Sequence, residues 1–455
     1  MKRSIFTYFG TNPPLHFNFY FAPSIISWHL IFYQCMMRYK WFFSAFYFFT
    51  ISFAFAQNAN DNLIPDPNVK TVVLSKSSSE DRYAMIGLNT AEQLRLSFDV
   101  MGTKNENFQY TIIHCDANWQ ATDLNKNQYL RGMDFDNITD WKFSSNTYTK
   151  YVHYNLLFPN ETIKPYIAGN YILKVYRNFD EENVVLTRRF LIINQATQIE
   201  ASAHPPALAE FRFTKQELNF TVEYNANTVP NPLQDIKIVV LQNYRWDNAL
   251  TGLKPQFSTG TKLDYNYVDK TLFNGGNEFR FFDIRSLRTY SQNVRSKWID
   301  SVVHLMLMMD ESKGSNQYFQ YTDYNGKRLI QNKDGLNGDI DGDYAITQFY
   351  LSSPGTMNAD DVYVFGELSD WKLLPEYKMY FNRNRARYEL EMPLKQGRYE
   401  YCYATKGADG KPDETPYEGN HFQTENEYLI LVYTKNQQWG YDELIGTRLF
   451  KSNNQ

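Results

Sequence analysis

The chain has 455 residues, with 46 Lys or Arg against 50 Asp or Glu and a formal net charge of −4. That balance argues against nucleic acid as a partner, three cysteines are too few for a disulfide scaffold, and the length allows about three domains. Aromatic content is 17%, with 35 Tyr and 34 Phe, and mean hydropathy is −0.54, a composition that favours half-exposed strands in a soluble bulk.

Residues 1–56 contain no acid. Met36-Met37-Arg38-Tyr39-Lys40 precedes an apolar run from Trp41 to Phe55, and Ala54-Phe55-Ala56 precedes Gln57. A basic start, an apolar stretch of about 15 residues and an A-x-A site predict a secretory signal peptide at 36–56, cleaved after Ala56. The apolar run is shorter than the roughly 20 residues that span a bilayer. Residues 1–35 lie upstream of this pattern and read as an over-extended N-terminus, with the true start at Met36 or Met37. Loss of 1–56 removes Lys2, Arg3, Arg38 and Lys40 and leaves 42 basic residues against 50 acidic ones.

Strand patterns fill the rest. Asn58 to Pro67 reads as an extended arm. Leu94, Leu96, Phe98 and Val100 alternate with Arg95, Ser97 and Asp99, the mark of a half-buried strand. Similar runs at 108–114, 151–158, 171–176 and 184–193, with few helical periods, predict an N-terminal β-sandwich over 57–195. His204-Pro205-Pro206 favours an extended crossing into a second sandwich over 196–330. There Val302–Met309 reads as a central strand and His304 as a core histidine. Gln331 to Asp343, QNKDGLNGDIDGD, reads as an acidic Gly/Asp linker, and 344–455 as a third sandwich. The fold expected is all-β, with tandem immunoglobulin-like β-sandwich domains.

Catalytic motifs are missing: the sequence has no G-x-S-x-G and no H-E-x-x-H. His114-Cys115-Asp116 resembles a metal or thiol site, but neighbours on a strand point to opposite faces. Cys115 and Cys402 read as free buried thiols. The acidic loop can be laid on a calcium-loop pattern through Asn337, Asp339 and Asp341, with Gly342 in the glycine position. Gln348, however, replaces the bidentate Glu that such a loop needs. No cofactor and no small-molecule substrate are expected.

Two loops draw attention as contact sites. Tyr244-Arg245-Trp246-Asp247-Asn248 follows the apolar run Ile236–Leu241, and Trp and Arg are enriched at interface hot spots. The plainer reading is that Trp246 anchors its own loop. Trp371 ends VYVFGELSDW (362–371), which with RYEYCY (398–403) resembles the early-set module of glycogen-binding domains. That likeness implies either sugar stacking or edge packing for Trp371.

Several stretches together resemble the plug protein of the type IX secretion system of Bacteroidota. They are IPDPNVKTVVL (64–74), YTIIHCDANWQATDL (110–124), GNYILKVY (169–176), VLTRRFLI (185–192), VVLQNYRWDNALTGLKPQF (239–257), GGNEFRFFDIRSLR (275–288) and DVYVFGELSDW (361–371). Cys402 and the 331–343 segment depart from the family's pattern. The resemblance implies a non-enzymatic periplasmic protein, peripheral to the inner face of the outer membrane, that binds and occludes the outer-membrane translocon barrel. The competing expectation is a carbohydrate-binding accessory protein that uses the C-terminal module.

Overall fold

Strand alternation builds the first core. Leu94, Leu96, Phe98 and Val100 of Leu94–Met101 are buried together with Val152, Tyr154, Leu156 and Phe158 of the antiparallel strand Tyr151–Phe158. Val69–Lys76 and Asp140–Phe143 flank this pair in a four-stranded sheet. The facing sheet runs Met85–Gly87, Asp180–Ile193, Gly169–Arg177, Phe108–Cys115 and Asp136–Asn137, and it adds Tyr110, Ile112, Leu173, Val175 and Phe190 to the same core. Each such buried side chain contributes roughly 1.5–3 kcal/mol.

The computed structural model describes residues 60–78, 83–289, 291–335, 337–353 and 361–452. The expected signal peptide and the stretch 1–35 lie outside them. The described chain is mostly β, in several sheets, and its α-helices are single turns such as Pro232–Asp235 and Gly338–Asp341. The described residues from Asn60 onward form one compact unit.

Sheet membership departs from the boundaries expected at 330 and 343. Lys237–Gln242 pairs with Glu427–Lys435, followed by Asp442–Lys451, so the last two strands complete the second core, not the third. Arg280–Asp283 pairs with Gly397–Lys406, and Val303–Leu307 with Tyr344–Ser352, so 280–307 joins the third core. The physical reason is two-sided burial. Ile238, Val240, Ile430 and Val432 face the second core, while Val239, Leu241, Leu429 and Leu431 face a separate cluster with Cys115, Ile172 and Leu191 of the first. A strand apolar on both faces reads as a continuous run, and such a run does not say which partner it takes. The crossings between the second and third cores run side by side: a Cβ on Gly275 would stand 2.1 Å from the His421 carbonyl oxygen.

The 331–343 segment is a clasp between the first and third cores, not a free linker. The Asp343 carboxylate accepts from the amides of Tyr148 (2.7 Å) and Thr149 (3.1 Å). The Tyr151 hydroxyl donates to the carbonyls of Gly342 (2.7 Å) and Asp339 (3.1 Å). Behind it Lys395 Nζ lies 2.7 Å from Asp99 Oδ2, with both side chains 1% exposed, and Asp99 also accepts from Tyr344 (2.7 Å) and bonds His153 (2.6 Å). Burial alone would raise the Asp99 carboxyl, but the Lys395 charge and the His153 bond outweigh it and hold it below the usual range.

His304 lies on Val303–Leu307, a strand between Val294–Ile299 and Tyr344–Ser352, as the apolar run implies. It is half-buried rather than in the core: its ring stacks on Trp298 at 4.9 Å and its Nε2 lies 3.1 Å from Asp300.

Candidate functional site

The strand Lys237–Gln242 ends in a tight turn, with Asn243 (φ 52) and Tyr244 (φ 59) both left-handed. The turn throws the 244–248 loop into the place where the three cores meet. The loop from Gly366 through Asp370 (φ 51) and Trp371 (φ 57) arrives from the third core in the same way. A turn after Phe108–Cys115 brings Trp119 (φ 67) from the first.

All six contact residues singled out in the sequence gather at this seam. Arg245 is buried, with its guanidinium 4.6 Å over Trp371 and 5.1 Å over Phe365. It is bound by Asp247 (2.6 Å) and Glu414 (2.7 Å). Burial would ease its proton off, yet the charges of Asp247 and Glu414 more than offset that and keep it cationic. Trp246 meets Trp119 edge-on at 4.9 Å, and Arg189 covers Trp119 at 4.5 Å. Tyr244 packs on Tyr83 at 4.5 Å, and Asn248 donates to Gln242 at 3.1 Å. Trp371 also touches Phe279 and Phe365, and a Cβ on Gly326 (φ 78) would stand 2.4 Å from its ring, so this close approach requires glycine.

Between these groups lies a cavity of about 250 Å³ lined by Trp119, Arg188, Trp246, Arg328, Trp371 and Lys372, among others. Lys372 ties down the arm at 60–63 by bonding the Asn62 carbonyl and Asp61 (2.9 Å), and Arg189 bonds the Asn60 carbonyl. Leu63 bridges to Thr187. Burial lowers the Arg188 guanidinium against the opposing charge of Asp370, 3.3 Å away. Sequence reasoning missed Trp119, Arg188, Arg189 and Arg328. The one legible signal was Asn or Asp before an aromatic, as at Asn118-Trp119, Asn243-Tyr244 and Asp370-Trp371, since Asx residues tolerate left-handed turns.

The site has the groups of a joint rather than of a reaction centre. Burial pushes the Cys115 thiol up to about 12 and the His114 imidazole down to about 4. His114 bonds Thr122 (3.0 Å) and packs on Tyr171, while Cys115 lies in the seam cluster on the other face. Both cysteines are buried free thiols. In the acidic loop Asn337 caps a helical turn by accepting from the Asp339 amide (3.0 Å). Asp339 pairs with Arg95, and Asp341 accepts from the Asn337 amide (3.3 Å). No cluster of three or more His, Cys, Asp or Glu able to hold a metal occurs among the described residues.

Residues 69–194 match the family model of the type 9 secretion system plug protein 1st domain. This plug-domain match runs over the strands of the first two sheets, from Val69 to Ile193. Beyond it, the chain is similar to a solved hypothetical protein from Parabacteroides merdae, with TM-score 0.82 and 28% identity over 86% of this chain and 99% of that one. No curated protein matches the chain. No helix among the described residues is long and apolar enough to cross a membrane.

Proposed function

We propose that the chain is a periplasmic, non-catalytic plug that seats on the outer-membrane translocon of the type 9 secretion system and blocks its pore. The observation that carries this reading is the plug-domain match over 69–194. The physical character of the molecule supports it. A stopper must keep its shape, and here three sheet pairs, which we read as immunoglobulin-like sandwiches, share buried seams. One is the cluster around Leu241 and Leu431, another the Lys395–Asp99 pair, a third the Arg245–Trp371 stack. Tyr and Trp edges on rigid β-modules suit a wet protein contact.

In this reading Trp246 of the 244–248 loop and Trp371 hold the body rigid beside the contact surface. Sugar stacking on Trp371 has less support, because Arg245 and Phe365 already occupy its surroundings. The test is twofold. Affinity purification of the mature chain from native membranes is expected to bring the translocon subunit, and deletion of the gene is expected to make the outer membrane leaky to large antibiotics. Neither result appearing would overturn the assignment.

A further inference from the structure

Among the described residues, three Asx–aromatic pairs sit in left-handed backbone at both positions: Asn178-Phe179 (φ 56, 59), Asn243-Tyr244 and Asp370-Trp371. A two-residue hairpin turn of this kind favours glycine second, and a bulky aromatic there is strained. Tyr244 and Trp371 offset the strain by packing in the seam. Phe179 does not: it stands 65% exposed at the tip of the hairpin Gly169–Arg177/Asp180–Ile193. Strain kept for a ring left largely in solvent points to function.

The tip is braced. Buried Gln109 accepts from the Phe179 amide (2.8 Å) and donates to Asn137 (2.9 Å), which ties the hairpin to the neighbouring loop. Arg177, one residue before the turn, is bound by Asp66 and Glu106. That loop sets Phe135, 43% exposed, edge-on to Phe179 at 6.1 Å, and carries Met133, 64% exposed. Around them the chain supplies exposed Asp134, Asp180, Glu181 and Glu182 and half-buried Asp136. Lys126 and Lys174 approach Glu181, at 3.6 and 3.8 Å, and Lys126 also donates to the Thr111 hydroxyl (3.3 Å). A pre-shaped apolar knob with a carboxylate collar suits a protein pocket rimmed by Lys and Arg, and it is repelled by anionic lipid or nucleic acid.

We propose that Met133, Phe135 and Phe179 form the docking knob of this protein, inserted into an apolar, basic-rimmed pocket on a protein partner. The proposal rests on the plug reading, in which that partner is the translocon subunit. The test measures binding of the full mature chain to the detergent-purified translocon subunit at low and high salt, with Phe179→Gly and Glu182→Lys beside wild type. Wild-type binding is expected to weaken with salt. Phe179→Gly is expected to weaken it tenfold or more without lowering Tm, since glycine relieves the turn, and Glu182→Lys is expected to weaken it at low salt. Wild-type binding with an unchanged Phe179→Gly affinity overturns the knob and leaves the plug reading standing. Absence of wild-type binding overturns both. Phe179-dependent binding to neutral or anionic vesicles, or Phe179-dependent dimers in sedimentation, would likewise overturn a protein partner of this kind.

Discussion

Single residues decide where this fold is vulnerable. Lys395 and Asp99 are buried against each other, so Lys395→Met leaves a buried carboxylate held only by His153 and Tyr344 and is expected to cost about 3 kcal/mol in urea unfolding. Adding Asp99→Asn should recover part of that loss. Glu400 has the opposite character. It is fully buried and its Oε2 accepts from the amides of Tyr324 (2.7 Å) and Gly326 (3.2 Å). Burial, helped by the Asp323 charge, raises its carboxyl to about 8 from an ordinary 4.5. The folded state therefore holds a proton that the unfolded state has lost, and this group's contribution to stability falls as pH climbs from 4.5 through about 8. Glu400→Gln is expected to raise the unfolding free energy more at pH 8 than at pH 5, a difference of a few kcal/mol at about 1.4 kcal/mol per pKa unit. An equal effect at both pH values would contradict this. Trp246→Ala should lower stability by about 2 kcal/mol, because the half-buried ring is packed on Trp119. Unchanged melting with lost translocon binding would instead make Trp246 a contact residue.

At the scale of elements, alternation at 94–100 was legible because one buried face leaves a period of two. The pairing of 236–241 with 427–435 was not, because both strands are buried on both faces and a continuous apolar run carries no direction to its partner. The acidic 331–343 segment misled in another way. Its Asn, Asp and Gly residues look solvated, but Asp343 and the Gly342 carbonyl are bound by the first core. Convergence of the 244–248 loop with Trp371 was also hidden, although both loops were noticed, since no local spacing links residues over a hundred positions apart. Asp343→Ala should free the clasp and leave the 144–149 loop cut faster by protease, with the rest of the chain protected. Uniform loss of protection would show that the segment acts on the whole fold.

For the whole molecule, shared sheets imply shared stability. A fragment of 344–455 lacks Lys237–Gln242 and Val303–Leu307, the neighbours of its own strands, and is expected to remain unfolded in circular dichroism and hydrogen exchange. A stable, cooperatively melting fragment would contradict the interleaved cores. Such a joined body suits a stopper that must resist deformation, which is the role proposed above from the plug-domain match over 69–194. The most direct measurement is conductance of the purified translocon subunit in a planar bilayer, with the mature chain added on the periplasmic side. The account predicts that the open conductance closes in a dose-dependent way and returns when the chain is washed out. Conductance that stays open while the chain is demonstrably bound would contradict it.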